Sequence, residues 1–191
     1  SNTTDLYRPN GNVGIGTTSP GYNLEVYGKA ILGDNNTVVG LNAGTDLAGG
    51  DDNSFFGKGA GANTTSADYN TAMGEGALAT NTTGGSNTAI GRDAMYYNTT
   101  AANNTAVGNS AGKAVTTGAN NTFVGGICGD GTDDGSANAA VGYGSLSANC
   151  GDDNSALGSY TLASCTGDKN TAVGQTAGFA VTSGDNNLML G

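Results

Sequence analysis

Sixteen carboxylates, three cysteines and eight tyrosines are the residues with chemistry to offer in this 191-residue chain, which has no histidine and no tryptophan. The missing histidine removes the usual general base and the commonest metal ligand. The carboxylates gather in turn-like sequence, as Asp51-Asp52, Asp68, Asp152-Asp153, Asp168 and Asp185, with Asp130, Asp133 and Asp134 in a neighbouring loop. Stacked carboxylates could hold calcium, but their spacing is neither that of an EF-hand nor that of the glycine-rich nonapeptide repeat. Solvated turn residues are therefore the favoured reading, calcium the runner-up, and no other cofactor is expected. Gly57-Lys58-Gly59-Ala60-Gly61 lacks the Lys-Ser/Thr ending and the following helix of a phosphate loop. A nucleophilic triad is excluded without histidine, and a glycosidase pair needs a cleft that the sequence does not mark. The chain is read as a non-enzyme.

The elements that must position these residues come from a repeat. Ten times the chain returns to Asn, a small residue, two apolar residues and Gly, from Asn36-Thr37-Val38-Val39-Gly40 through Asn104-Thr105-Ala106-Val107-Gly108 to Asn187-Leu188-Met189-Leu190-Gly191. The closing glycines are 17 residues apart except at two steps of 16, Gly142 to Gly158 and Gly158 to Gly174. A period this steady marks one supersecondary unit stacking on the next. The expected fold is all-β, a parallel β-roll or β-solenoid of about nine 17-residue coils over residues 34–191. Residues 1–33 fall outside the period and read as a β leader or cap, with a strand from Tyr22 to Leu32. Each coil is expected to hold two short strands, the second at the small residue three places after the anchor glycine (Ala43, Ala60, Ala77 and their equivalents). At about 4.8 Å per coil, nine coils make a rod of about 45 Å.

Two apolar neighbours on a strand point to opposite faces, so the first strand has two faces that avoid water. The larger member is expected to form the core ladder: Val39, Phe56, Met73, Ile90, Val107, Val124, Val141, Leu157, Val173 and Leu190. The smaller, Ala in six repeats, suits close approach of coils around an axis. One flat coil covers only one face, and the other would leave an apolar stripe far larger than the few hundred Å² a soluble monomer shows. An obligate homo-oligomer of parallel chains follows.

Cys128 falls where neighbouring coils have Ala and reads as a packed thiol. Cys150 and Cys165 lie in equivalent loops of successive coils, close enough for a disulfide, so that a bridge and two separate thiols are both open. Tyr69, Tyr96, Tyr97, Tyr143 and Tyr160 are candidates for glycan contact, although scattered exposed tyrosines are the plainer reading.

Leu, Ile, Val and Phe together make up about 15 % of the chain, and the net charge is −10, a composition usually read as disordered. The register overrules it, because a disordered chain has no reason to return an apolar pair to one phase ten times. The acidic balance argues against nucleic acid and anionic membranes, and no apolar run reaches the roughly 18 residues of a membrane span. Starting at Ser1 without Met and ending on a repeat glycine, the chain is taken as a segment of something longer.

The repeat Asn-Thr-Ala-Val-Gly-x-x-Ala-Gly resembles the head repeats of trimeric autotransporter adhesins, and more closely repeats of phage and algal-virus tail fibres. The stretch Gly11-Asn12-Val13-Gly14-Ile15-Gly16-Thr17-Thr18-Ser19-Pro20, with Leu24-Glu25-Val26-Tyr27-Gly28-Lys29-Ala30, looks like the segment that often precedes such repeats in fibre proteins. The resemblance implies a parallel homotrimer outside the cell, on a virion tail or bacterial surface, acting as spacer or adhesin toward a host glycan or protein receptor. Ice binding by the threonine ladder Thr71, Thr88, Thr105 and Thr122 is the alternative, though Ser54, Ala139 and Ser155 interrupt that ladder.

Overall fold

A computed structural model of the chain describes residues 30–33 and 35–191. Of the expected leader over 1–33, only β1 (Ala30–Gly33) is within the described residues. Ten further three- or four-residue strands follow, one per coil: β2 (Asn36–Val39), β3 (Ser54–Phe56), β4 (Thr71–Met73), β5 (Thr88–Ile90), β6 (Thr105–Val107), β7 (Thr122–Val124), β8 (Ala139–Val141), β9 (Ser155–Leu157), β10 (Thr171–Val173) and β11 (Leu188–Leu190). They form one sheet in sequence order. β2 to β11 pair in parallel with repeat positions in register, Ala106 beside Phe123 and Val107 beside Val124. β1 lies antiparallel to β2, covering the sheet edge at that end with Gly33 opposite Asn36. The chain is a parallel β-solenoid of about nine turns.

The asparagine that opens each strand is what ties coil to coil. Its side chain is buried from Asn36 to Asn170. In Asn104, Nδ2 donates to the Gly118 carbonyl of its own coil at 2.9 Å, while Oδ1 accepts the Asn121 backbone N–H of the next coil at 2.8 Å. The same pair of bonds recurs at Asn53, Asn87 and Asn138. An amide side chain can close a turn with its donor and pass its acceptor onward because it carries both. Asp in that place would lack the donor, and Ser would carry both functions on one atom of a shorter stem.

The expected second strand is absent among the described residues. The stretch after each anchor glycine is instead a run of tight turns, in which some backbone N–H groups close onto their own coil and others reach a neighbouring one: Ala60 N–H donates to the Gly57 carbonyl, Gly59 N–H back to Leu41 and Gly61 N–H on to Ala77. The physical reason is a positive φ at alternating positions, as at Asp93 (56°) and Met95 (48°), which breaks the extended backbone a strand needs. The anchor glycine is fixed by sterics as well: a Cβ on Gly108, at φ 140°, would overlap the carbonyl of Gly125 stacked against it.

The interior corrects the expected core ladder. Facing inward are the first members of the apolar pairs, namely Val38, Phe55, Ala72, Ala89, Ala106, Phe123, Ala140, Ala156 and Ala172, all buried. Val39, Phe56, Met73, Ile90, Val107, Val124, Val141, Leu157, Val173 and Leu190 face outward. The coil is too narrow for a large side chain at that strand position in every turn, because a second position, four residues past the anchor glycine, also projects inside. Where the strand brings Phe55 or Phe123, that position is Gly61 or Gly129; where it brings Ala, it is Leu78, Met95, Leu146 or Leu162. A Cβ on Gly61 would stand 2.5 Å from the Phe55 ring. Coils with Ala and Gly at both places, such as the one holding Ala106 and Gly112, fill the space with Val115 from the far loop. Close packing thus admits about one large side chain per turn.

Candidate functional site: the outer face of the sheet

The outward residues run the whole length of the parallel sheet. Ten side chains at one strand position stack from Val39 to Leu190, Phe56 and Ile90 being 38 % exposed and Leu190 73 %. Two places earlier on each strand, and so on the same face, runs a column of Thr37, Ser54, Thr71, Thr88, Thr105, Thr122, Ala139, Ser155 and Thr171. Both columns follow the parallel register, so the face is two side chains wide and about 43 Å long at the strand spacing of a sheet. Where Ala139 and Ser155 replace Thr, the face dips into a shallow hollow of about 240 Å³ beside Val141, Leu157 and Val173.

The three cysteines are separate buried thiols, which corrects the disulfide alternative for Cys150 and Cys165. Their sulfurs turn to different partners: Cys150 Sγ meets Thr132 Oγ1 at 3.1 Å, one coil back, and Cys165 Sγ accepts from Asn170 Nδ2 at 3.3 Å. Cys128 packs in the core beside the Ala140 carbonyl. Desolvation pushes the Cys128 thiol up to about 12 and Cys150 up to about 11, and raises Cys165 too. Neutral buried thiols neither attack nor bind soft metals readily. A thiol reagent at neutral pH is therefore expected to label none of the three in the folded chain and all three in denaturant, with the Cys128 thiolate suppressed about a thousandfold. Because the folded values lie above the unfolded value of 9.0, the unfolded state releases protons first, so stability is level below pH 9 and falls from there toward pH 12. Urea titration across that range checks the sign.

Four of the turn carboxylates serve structure. Asp68, Asp152, Asp168 and Asp185 each accept a backbone N–H from the preceding coil, as Asp168 Oδ1 does from Asp152 at 2.9 Å. Among the described residues no three His, Cys, Asp or Glu side chains gather as a metal site would require. Asp130 stands apart, its carboxyl raised by burial.

Four of the described tyrosines fall into two groups. Tyr143 and Tyr160 stack edge to face at 5.5 Å, and Phe179, which the sequence reading passed over, extends the row at 6.4 Å. Tyr96 and Tyr97 form a second pair at 4.9 Å, and Tyr69 is exposed outside both. The three rings sit at three different coil positions after Gly142, Gly158 and Gly174, so the repeat register does not bring them together in the sequence.

No protein family, curated protein or solved structure matches this chain. The class rests on the fold alone, a parallel β-solenoid with an outward apolar column beside a threonine-rich one.

Proposed function

We propose that the chain is a structural and adhesive segment of an extracellular fibre, on a virion tail or a bacterial surface, working as a parallel homotrimer through multivalent binding and not catalysis. The observation that carries this reading is the outward aliphatic column from Val39 to Leu190. Ten aligned apolar side chains on one face exceed what a soluble monomer leaves open. Identical chains, each with the same spacing, can cover it along its full length in parallel. Three copies then present every outer surface three times, so weak contacts with a host glycan or protein receptor add by avidity.

The mass in dilute buffer tests the proposal. The expected result is three times 18.6 kDa for the wild type. Replacing Ile90 and Val107 together by Glu places uncompensated like charges in the interface and is expected to yield monomer. Since both side chains already face outward, the coil itself should keep its β circular dichroism. A monomeric wild type overturns the trimer.

The same face also supports ice binding, because threonine and aliphatic columns at fixed spacing form an ordered surface. The two readings compete, as a face covered by neighbouring chains is closed to ice. Thermal hysteresis in a monomeric sample would favour the second.

A further inference from the structure

On a different side of the solenoid, turn residues of the first to fourth coils line an open cleft of about 490 Å³. Its floor is bare because Gly59 and Gly76 carry no side chains and Ala62 and Ala79 carry only methyls. A Cβ added at Gly59 would meet nothing within 4 Å, whereas one at Gly76 would come within 3.1 Å of the Tyr96 ring, so the missing side chain at Gly76 lets that ring lean over the cleft. Tyr96 is braced by Tyr97 at 4.9 Å, edge to face, and by Lys113 Nζ 5.9 Å from its centre. Along one wall run Lys58, Glu75 and Arg92. Lys58 pairs with Glu75 at 3.0 Å and Arg92 with Asp93 at 3.7 Å.

These features select a ligand by chemistry. A braced aromatic face takes a flat, partly apolar surface, here the C–H face of a sugar ring. Lys58, Glu75, Arg92 and Asp93 set donors beside acceptors along the cleft, with Lys113 behind the ring sharing Asp93 at 3.8 Å, and such mixed neighbours suit hydroxyls, which both donate and accept. The cleft crosses successive coils, so it runs along the rod and is open for a chain to continue past it, in the size range of ligand sites. We infer that this cleft binds a neutral oligosaccharide, with one ring against Tyr96 and hydroxyls on Lys58, Glu75 and Arg92. This rests on the adhesive reading above and supplies its contact site.

The test titrates the full chain calorimetrically with short neutral fragments of glucan, mannan, galactan and chitin and with a sulfated glycan fragment, recording the mass of each sample by light scattering. At least one neutral fragment is expected to bind, and Tyr96→Ala to weaken it about tenfold. Gly59→Asn fills the floor and should weaken it as much, while keeping the fold, because Asn42 occupies the same coil position at φ 57°. Tyr69→Asn, outside the cleft, should leave binding unchanged. Absence of binding to every neutral fragment, preference for the sulfated one, or affinity undiminished in both cleft variants overturns the inference. An assembled wild type that binds no sugar removes this site but leaves the fibre standing; a monomer that binds keeps the site and removes the trimer.

Discussion

Phe123→Ala should cost about 3–5 kcal/mol in urea denaturation, and Gly129→Leu added to it should restore most of that loss. Phe123 is fully buried, and its ring fills the turn that Gly129 and Gly112 leave empty: a Cβ on Gly129 would overlap the ring, and one on Gly112 would approach it to 3.0 Å. Removing the ring leaves a cavity lined by backbone that cannot collapse, because each coil is pinned to the next by hydrogen bonds. Leu at 129 fills that cavity from the other side, as Leu78 does opposite Ala72 and Leu146 opposite Ala140. The required left-handed backbone is already adopted by Leu78 at φ 50° and Leu146 at φ 48°, close to the 61° of Gly129. Gly129→Leu alone should destabilise, since ring and leucine claim one space. The sign of the coupling is thus the readout. If the double variant is no more stable than Phe123→Ala, the one-large-residue-per-turn account of this core fails.

Asn104→Ala should cost about 4 kcal/mol, and its effect should be centred on the neighbouring coils. The substitution strands two buried backbone groups at once, the Gly118 carbonyl that Nδ2 satisfies and the Asn121 N–H that Oδ1 satisfies. Each orphaned group costs about 1–3 kcal/mol, and the unbroken column adds the mutual polarisation of its bonds. In a stacked repeat the loss falls on one interface between turns. Hydrogen exchange at Asn121 should therefore accelerate far more than at Thr37, many coils away. Asn109→Ala, at an exposed position, is the matched control and should be silent within about 0.5 kcal/mol. A cost below about 1 kcal/mol for Asn104→Ala would mean that water or a shifted turn replaces the amide, and that the column is not what aligns the coils.

These two positions also show how unevenly the fold is written in the chain. The asparagine and anchor-glycine columns are legible as letters, because backbone chemistry leaves them few substitutes: one position needs a donor and an acceptor on a short stem, the other a φ near 140° against a stacked carbonyl. From those columns alone come the all-β class, the parallel stacking, and the number and pitch of the turns. Strand alternation likewise says that Ala106 and Val107 part to opposite faces.

Alternation does not say which of them goes in. That depended on how much room a turn encloses, and the room is set by Met95, Leu146 or Leu162 entering from a residue whose positive φ no local pattern marks. The same hidden left-handed residues turned an expected second strand into a run of turns, and the directions of the thiols toward Thr132 and Asn170 left Cys150 and Cys165 apart. The sequence by itself determined the repeat, its register and its parallel stack, because those follow from hydrogen-bonding groups that recur at a fixed spacing. Only the tertiary structure decided that the larger residue of each pair lies outside and that a cleft opens beneath Tyr96, because both are questions of volume, settled by side chains that come from different turns of the chain.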